Sequence, residues 1–279
     1  MPDQQFTLHV ARIGGKTFLA RVSCIVVRPD SCDYQGHHRA PSLIMNRTVA
    51  DGHFSEPTTH YWQSIEDAPG CQSEPPWQYH YPARLPDGRI LRLPIRQLAD
   101  TPEYAVASLI CNQAAMSVVE ELSGMLAERL AALRPDFLLG LPTLGLTVIP
   151  TVARRLNHTR FLPLGYSRKF WYDDSLSTSI RSITSPDSDK RLYLDPNLLP
   201  LARGRKVALV DDTISSGHSM EQTWDFCEAL GMQVIGCGVL MLQGKRWLHR
   251  LGEERSRRVC GVLESPLLQA VPDGWVERR

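Results

Sequence analysis

Alternating apolar and polar residues predict two β-hairpins in the first third of the chain. Residues 6–27 alternate around Gly14-Gly15, and residues 80–96 alternate around Pro86-Asp87-Gly88. Period-two alternation is typical of strands with one buried face, and glycine between two such runs favours a tight turn. Residues 28–78 show no periodicity and contain six prolines, which indicates an irregular connection or an ordered loop packed by its tryptophans.

Helical and strand patterns alternate in the rest of the chain. Apolar residues recur at helical spacing from Val118 to Leu130, and the pattern predicts a helix from about Tyr104 to Leu133. Helices are also predicted over residues 145–155 and 219–230. Short apolar runs predict strands at 136–141, 160–164, 191–194, 207–210, 233–242 and 259–263. This alternation favours an α/β fold, in which a parallel sheet is flanked by helices.

The division of the chain follows from these patterns. Residues 1–78 are predicted to form a β-rich and Pro-rich N-terminal extension, and residues 79–279 the main α/β domain. The extension contains several histidines and cysteines, but their spacing fits no common pattern of metal ligands, so ordinary loop residues are the simpler interpretation.

Charge and cysteine content limit the classes of function. The 279 residues include 31 basic and 30 acidic side chains, for a net charge of +1, which indicates neither nucleic acid nor a membrane surface as partner. No apolar run approaches the roughly 18 residues of a membrane span. Seven cysteines without a CxxC pair are typical of reduced thiols, so a cytoplasmic protein is expected.

The segment from Lys206 to Met220 carries the candidate chemistry. Its apolar run 207–210 reads as a buried strand that ends in Asp211 and Asp212, and small or hydroxyl-bearing residues lead from there into a helix. Free N–H groups at a helix N-terminus favour a phosphate, and Gly217 permits close approach of an oxyanion. Two carboxylates would repel that phosphate unless they bind vicinal sugar hydroxyls or Mg²⁺.

These residues, VALVDDTISSGHS, resemble the phosphoribosyl-pyrophosphate (PRPP) signature of type I phosphoribosyltransferases. Receiver domains also have adjacent acids at a strand end, but they lack the hydroxyl–glycine–hydroxyl loop, and no further phosphoacceptor aspartate is apparent. The resemblance implies transfer of ribose 5-phosphate from PRPP to a nitrogen of a nucleobase, with release of pyrophosphate. It also implies a small hood over the sheet and, in our expectation, a homodimer.

The resemblance assigns roles to three segments. Asp211 and Asp212 would bind the ribose hydroxyls, hold Mg²⁺ and support positive charge at the reacting carbon. The 5-phosphate would lie against the loop of Thr213, Ile214, Ser215, Ser216, Gly217, His218 and Ser219. The leaving pyrophosphate would bind the turn of Pro142, Thr143, Leu144 and Gly145, together with Arg168, Lys169 and Mg²⁺.

Two further features follow from the family pattern. Many members have a non-proline cis peptide in the pyrophosphate turn, which corresponds here to Thr143–Leu144. Leu144 occupies a position often held by lysine or arginine, so backbone amides, Lys169 and the metal would take more of the pyrophosphate charge. Residues 170–190 are polar and non-periodic, and they lie where the family has a mobile loop that closes over the substrate.

The identity of the base is suggested by one short similarity. Residues 108–113 are similar to a segment of xanthine phosphoribosyltransferases in which an asparagine contacts the purine, so Asn112 is a candidate, although a helix-capping role is equally open. A purine is favoured, with orotate as the alternative. A non-catalytic PRPP-binding regulator is the alternative from another class, but the N-terminal extension does not resemble the DNA-binding helical domain of such regulators.

Overall fold

The computed structural model describes residues 7–13, 16–22, 60–68, 74–182 and 185–278, with backbone only for 7–22 and 181–189. The chain separates into two compact units, Met1–Thr48 and Val49–Arg279. The first unit contains an antiparallel pair of strands, β1 (Thr7–Ile13) and β2 (Lys16–Val22), at the position of the first predicted hairpin. Most of the proline-rich connection, with its candidate metal-ligating histidines and cysteines except His60, lies outside the described residues.

The second unit contains twelve strands and five helices within its described residues. The strands are β3 (His80–Arg84), β4 (Ile90–Gln97), β5 (Tyr104–Ala107), β6 (Phe137–Gly140), β7 (Leu162–Gly165), β8 (Ser177–Ser182), β9 (Ser185–Leu194), β10 (Lys206–Ile214), β11 (Gln233–Gln243), β12 (Val259–Ser265), β13 (Leu267–Val271) and β14 (Gly274–Glu277). The helices are α1 (Met116–Ala131), α2 (Gly145–Arg155), α3 (Leu199–Ala202), α4 (His218–Ala229) and α5 (Arg246–Ser256).

A seven-stranded sheet forms the centre of this unit, in the order β12-β11-β10-β6-β7-β9-β8. The first five strands are parallel, and β9 and β8 continue the sheet in antiparallel pairing. The predicted α/β class with a parallel sheet flanked by helices is therefore confirmed.

The core lies on both faces of the sheet. Alternate residues of β10 enter opposite clusters, because successive side chains of a strand point to opposite faces. Ala208 and Val210 pack with α1 and α2, whereas Val207 and Leu209 pack with α4 and α5. All four side chains are fully buried, which explains why this strand reads as a continuous apolar run.

A second, antiparallel sheet has the order β14-β13-β5-β4-β3 and confirms the predicted hairpin at residues 80–96. The helix predicted from Tyr104 is wrong at its start, since residues 104–107 form β5 and α1 begins at Met116. Buried positions alternate along β5, and its backbone pairs with both β4 and β13. Two neighbouring strands satisfy this segment's backbone groups better than an isolated helical turn could.

The described part of the proline-rich connection packs against the core. Trp62 is only 2% exposed and donates its indole N–H to the carbonyl of Ser108 at 3.0 Å. The backbone N–H of Trp77 donates to the carbonyl of Trp275 at 2.8 Å. These contacts fit the interpretation as an ordered loop, while the domain boundary at residue 78 stays a prediction.

The segment predicted as a loop at residues 170–190 is instead largely a hairpin. Strands β8 and β9 pair antiparallel at the edge of the central sheet, and β9 also pairs with β7. Ile180 on β8 and Leu192 and Leu194 on β9 are buried, whereas serine and threonine side chains occupy the more exposed positions of β8. An edge strand such as β8 needs few apolar residues. Its polar composition therefore led to the prediction of a loop. No helix among the described residues is long and apolar enough to cross a membrane.

Candidate active site

A cavity of about 490 Å³ lies at the carboxyl ends of the parallel strands. The segment from Asp211 to Ser219 forms one wall, and the turn from Pro142 to Leu144 forms another. Further lining comes from residues 106 and 108–110, Tyr166, the C-terminal end of β11 and part of the β8–β9 hairpin. Ligands of open α/β sheets bind at this edge because the connections after the strands meet there.

The two carboxylates of β10, Asp211 and Asp212, line the cavity and are partly buried. Burial, followed by the neighbouring Asp212 charge, raises the pKa of Asp211 well above its usual range. Burial likewise raises the pKa of Asp212. The backbone N–H groups of Asp212, at 2.9 Å from Oδ1, and of Gly145 donate to the Asp211 carboxylate. The pair is thus costly to ionise without a cation or hydroxyl donors.

The loop of residues 215–217 connects β10 to the start of α4. Gly217 precedes the helix with φ of +81°, and a Cβ there would lie 3.0 Å from Cα of Trp247. Both the left-handed backbone and the close approach of α5 therefore require glycine. Ser216 Oγ accepts a hydrogen bond from the N–H of His218 at 3.3 Å. The helix N-terminus opens into the cavity, where its N–H groups can bind an anion.

His218 adds an imidazole at this helix start. Its Nδ1 is buried and makes no hydrogen bond within the described chain, and Glu221 Oε2 lies 3.9 Å away. The imidazole therefore lines the cavity while its Nδ1 is enclosed by protein.

The turn after β6 is tied to β10 by its backbone. The N–H of Leu141 donates to the carbonyl of Val210 at 2.9 Å. The turn contains a non-proline cis peptide, but it joins Pro142 to Thr143, so the prediction of Thr143–Leu144 is wrong by one bond. Leu144 already has helical dihedral angles, and its carbonyl accepts from Thr147 at the start of α2. The chain reversal therefore precedes Leu144.

Four of the predicted site residues do not line the cavity, and three of these lie exposed on the surface. Arg168 and Lys169 are exposed, and Arg168 pairs with Asp174 at 2.7 Å. Asn112 is also exposed, in a 3-10 turn at Cys111–Gln113. The remaining predicted residues line the cavity, except Gly145, which supports it from the start of α2.

Lys190 is a cavity residue that sequence reasoning missed. It is the single lysine or arginine among the described lining residues, and its Nζ lies 5.6 Å from the ring centroid of Tyr166. Burial and the nearby charges of Asp211 and Asp212 raise the pKa of Tyr166. Lys190 shares a strand face with Leu192 and Leu194, which lie two and four residues further on. That alternation was the signal that could have placed it.

The acid pair fits Mg²⁺ that arrives with a phosphate ligand. The described residues contain no group of three or more His, Cys, Asp or Glu side chains that could hold a metal by themselves. Magnesium is commonly bound by one or two carboxylates together with substrate phosphates and water. Asp211 and Asp212 match that arrangement, and a cation would relieve the repulsion that raises the Asp211 pKa.

Comparisons with solved structures found the same fold in adenine phosphoribosyltransferases. The enzyme of Giardia lamblia, complexed with 9-deazaadenine, is 15% identical, with 62% of this chain and 93% of that chain covered and a TM-score of 0.50. The Thermoanaerobacter pseudethanolicus enzyme is 15% identical, with 62% of this chain and 95% of that chain covered and a TM-score of 0.49. The Rhodothermus marinus enzyme is 20% identical, with 61% of this chain and 93% of that chain covered and a TM-score of 0.48. A search of curated proteins found no match.

The family model of the phosphoribosyl transferase domain matches residues 107–256. This range is more than half of the chain, and it contains the acid pair, the phosphate loop, the turn after β6 and Lys190. Within this range, the acid pair, the loop before α4 and the turn after β6 line one cavity. The chain therefore belongs to the phosphoribosyltransferase family.

Proposed function

We propose that the protein transfers the ribose 5-phosphate group of PRPP to a nitrogen of a purine base and releases pyrophosphate. The observation that carries the proposal is the position of Asp211 and Asp212, which face one cavity together with the N-terminus of α4 and the turn after β6. Anion-binding backbone on either side of an acid pair suits a sugar that bears a phosphate at each end.

The reaction breaks the bond between ribose carbon 1 and a pyrophosphate oxygen and forms a bond from that carbon to the base nitrogen. The base nitrogen loses its proton, and pyrophosphate leaves with the electron pair of the broken bond. Positive charge develops at carbon 1 and the ring oxygen in the transition state. The carboxylates of Asp211 and Asp212 would hold the ribose hydroxyls and stabilise that charge, so catalysis rests on positioning and electrostatics.

The 5-phosphate and the pyrophosphate would each bind a different part of the cavity wall. The 5-phosphate would accept hydrogen bonds from N–H groups and hydroxyls of residues 213–219, including Ser216 and Ser219. The pyrophosphate would accept hydrogen bonds from the backbone N–H groups of Thr143 and Leu144 and from Lys190, because the Leu144 side chain brings no charge and Lys169 is exposed outside the cavity. Bound Mg²⁺ would supply further charge neutralisation for the phosphates.

Two observations support a purine as acceptor. The cavity beside residues 106–110 presents Val106, Leu109 and Ile110, and such apolar walls suit a flat aromatic ring. The Giardia lamblia enzyme with this fold is complexed with 9-deazaadenine. Dependence on Mg²⁺, a homodimeric state and a cytoplasmic location stay predictions.

The test is incubation with Mg²⁺ and PRPP against a panel of purines and pyrimidines, with nucleotide and pyrophosphate both measured. We expect equal amounts of the two products with at least one purine and none with the Asp211→Asn/Asp212→Asn variant. Turnover of orotate and no purine would overturn the assignment of the base. Tight PRPP binding without turnover of any base would instead favour a regulator.

A further inference from the structure

Gln243 lies at the last position of β11, and its side chain is held in one orientation. The residue is 9% exposed, and its Nε2 donates to the carbonyl of the fully buried Ala107 at 2.8 Å. Only the amide nitrogen can donate to a carbonyl, so this bond fixes which side of the amide carries the oxygen. The bond joins β11 to β5 and needs only one end of the amide.

The other end of the amide remains available to a ligand. Gln243 lines the cavity, and its Oε1 accepts no hydrogen bond from any of the described residues. A nearly buried, oriented acceptor without a protein partner is a recognition group for a donor in the cavity. The neighbouring walls are the side chains of Val106, Leu109 and Met241, which suit a flat ring rather than a phosphate.

The strand order places this acceptor on the side where the base must enter. The acid pair lies near the carboxyl end of β10. The turn proposed for pyrophosphate follows β6 on one side of β10, and β11 is the neighbour on the other side. Thr213 pairs with Met241 and Ile214 with Leu242, so Gln243 lies one residue beyond the last paired position of β10. In a displacement at carbon 1, the incoming nitrogen and the leaving pyrophosphate occupy opposite sides of the carbon. The base therefore lies towards β11.

We propose that Oε1 of Gln243 accepts a hydrogen bond from an exocyclic amino group of the base, and that it selects 6-aminopurine over 6-oxopurine. This inference rests on the proposed phosphoribosyl transfer and specifies its acceptor. A ring carbonyl at the same position would face the glutamine oxygen with no proton between them. A polar group left unpaired in this way is rejected far more strongly than a missing methyl group.

The first measurement uses the unaltered protein with PRPP and Mg²⁺, with adenine and hypoxanthine as acceptors. We expect kcat/KM for adenine to exceed that for hypoxanthine by about 10-fold or more. Equal values, or a preference for hypoxanthine, would overturn the role of Gln243. Absence of turnover with every base would overturn the proposed function itself, and with it this inference.

The second measurement uses Gln243→Met, which keeps the length of the side chain and removes the acceptor. We expect kcat/KM for adenine to fall about 10-fold, with less than about a 3-fold change for hypoxanthine and an unchanged KM for PRPP. Equal losses with both bases would show that Gln243 is a purely structural link and contradict the proposal. If this variant does not fold, the preference of the unaltered protein decides.

The matched control is Gln233→Met at the other end of the same strand. Gln233 is exposed, and its Nε2 donates to the carbonyl of Gly204 at 3.3 Å. The control therefore removes the same chemical group, with the same kind of backbone bond, far from the cavity lining. We expect it to leave the ratio of kcat/KM for the two bases unchanged.

Discussion

Gly145 and Asp211 are in direct contact, which joins the turn after β6 to the acid pair near the carboxyl end of β10. A Cβ atom on Gly145 would lie 2.9 Å from both Cα and Oδ1 of Asp211. It would also lie 2.8 Å from the carbonyl oxygen of Val210. Two of these three atoms belong to the backbone of the central strand, so the position accepts no side chain without displacement of the turn or of the carboxylate.

Gly145→Ala should therefore damage both folding and PRPP use. We expect a loss of about 1–3 kcal/mol in the free energy of unfolding, as for other overpacked sites. A displacement approaching 1 Å should lower kcat/KM for PRPP by about 10- to 100-fold. Denaturant unfolding and steady-state kinetics measure the two effects. Gly165→Ala is the control, since its Cβ would meet no atom within 4 Å, and unchanged values for Gly145→Ala would disprove the contact.

Replacement of the acid pair should remove PRPP binding without loss of stability. Burial and the neighbouring charge raise the pKa of Asp211, and burial raises that of Asp212, so the folded protein holds these protons more tightly than the unfolded chain. Their contribution to stability is thus fully present below the unfolded pKa of about 3.9 and is lost as the pH rises through the raised folded values. Asp211→Asn/Asp212→Asn should melt at least as high as the original protein at pH 7.

Thermal unfolding from pH 4 to 8, with and without Mg²⁺ and PRPP, tests this expectation. The original protein should gain in melting temperature on addition of PRPP, and the double variant should not. Asp225→Asn is the control, because this exposed carboxylate of α4 pairs with Arg255 and does not line the cavity. If PRPP still raised the melting temperature of the double variant, the acid pair would not be part of the PRPP site.

Lys190 and Lys169 are alternative candidates for the lysine that binds pyrophosphate. Because Lys190 lines the cavity and Lys169 is exposed outside it, Lys190→Met should raise KM for PRPP about 10-fold or more, and Lys169→Met should raise it less than about 3-fold. Lys245→Met, at an exposed position before α5, controls for loss of a surface charge. A larger effect of Lys169→Met than of Lys190→Met would restore the role that the family pattern assigns to Lys169.

The β8–β9 hairpin should become more protected when the substrates bind. Within the described chain, β8 pairs only with β9, whereas β10 has a neighbour on each side. Backbone amides of residues 177–180 should therefore exchange faster than those of β10 in the free protein. Mg²⁺ and PRPP with a base analogue should slow them about 10-fold, measured by hydrogen exchange with mass spectrometry. Equal protection of β8 and β10 without ligand would contradict closure of the hairpin over the site.

Much of the fold and the centre of the site could be predicted because their signals lie within single segments. The run 207–210 is apolar at every position because the strand is buried on both faces, and the acids, the small loop and the helix start follow it directly. The helical stripe of α1 was found for the same reason. The predicted start of this helix was wrong, because the local sequence of residues 104–107 is compatible with either a helix or a strand. Pairing with β4 and β13 makes this segment a strand.

Tertiary structure decided which polar residues share the cavity. Lys169 and Lys190 lie in one polar stretch of sequence, and only the pairing of β8 with β9 and of β9 with β7 brings Lys190 to the cavity. The sequence shows Gln243 only as the polar end of an apolar strand. The structure adds that its amide donates a hydrogen bond to the carbonyl of Ala107. A local pattern reports the burial of a strand or helix. Which side chains meet depends on strand order and register, which are set by backbone pairing between segments far apart in the chain.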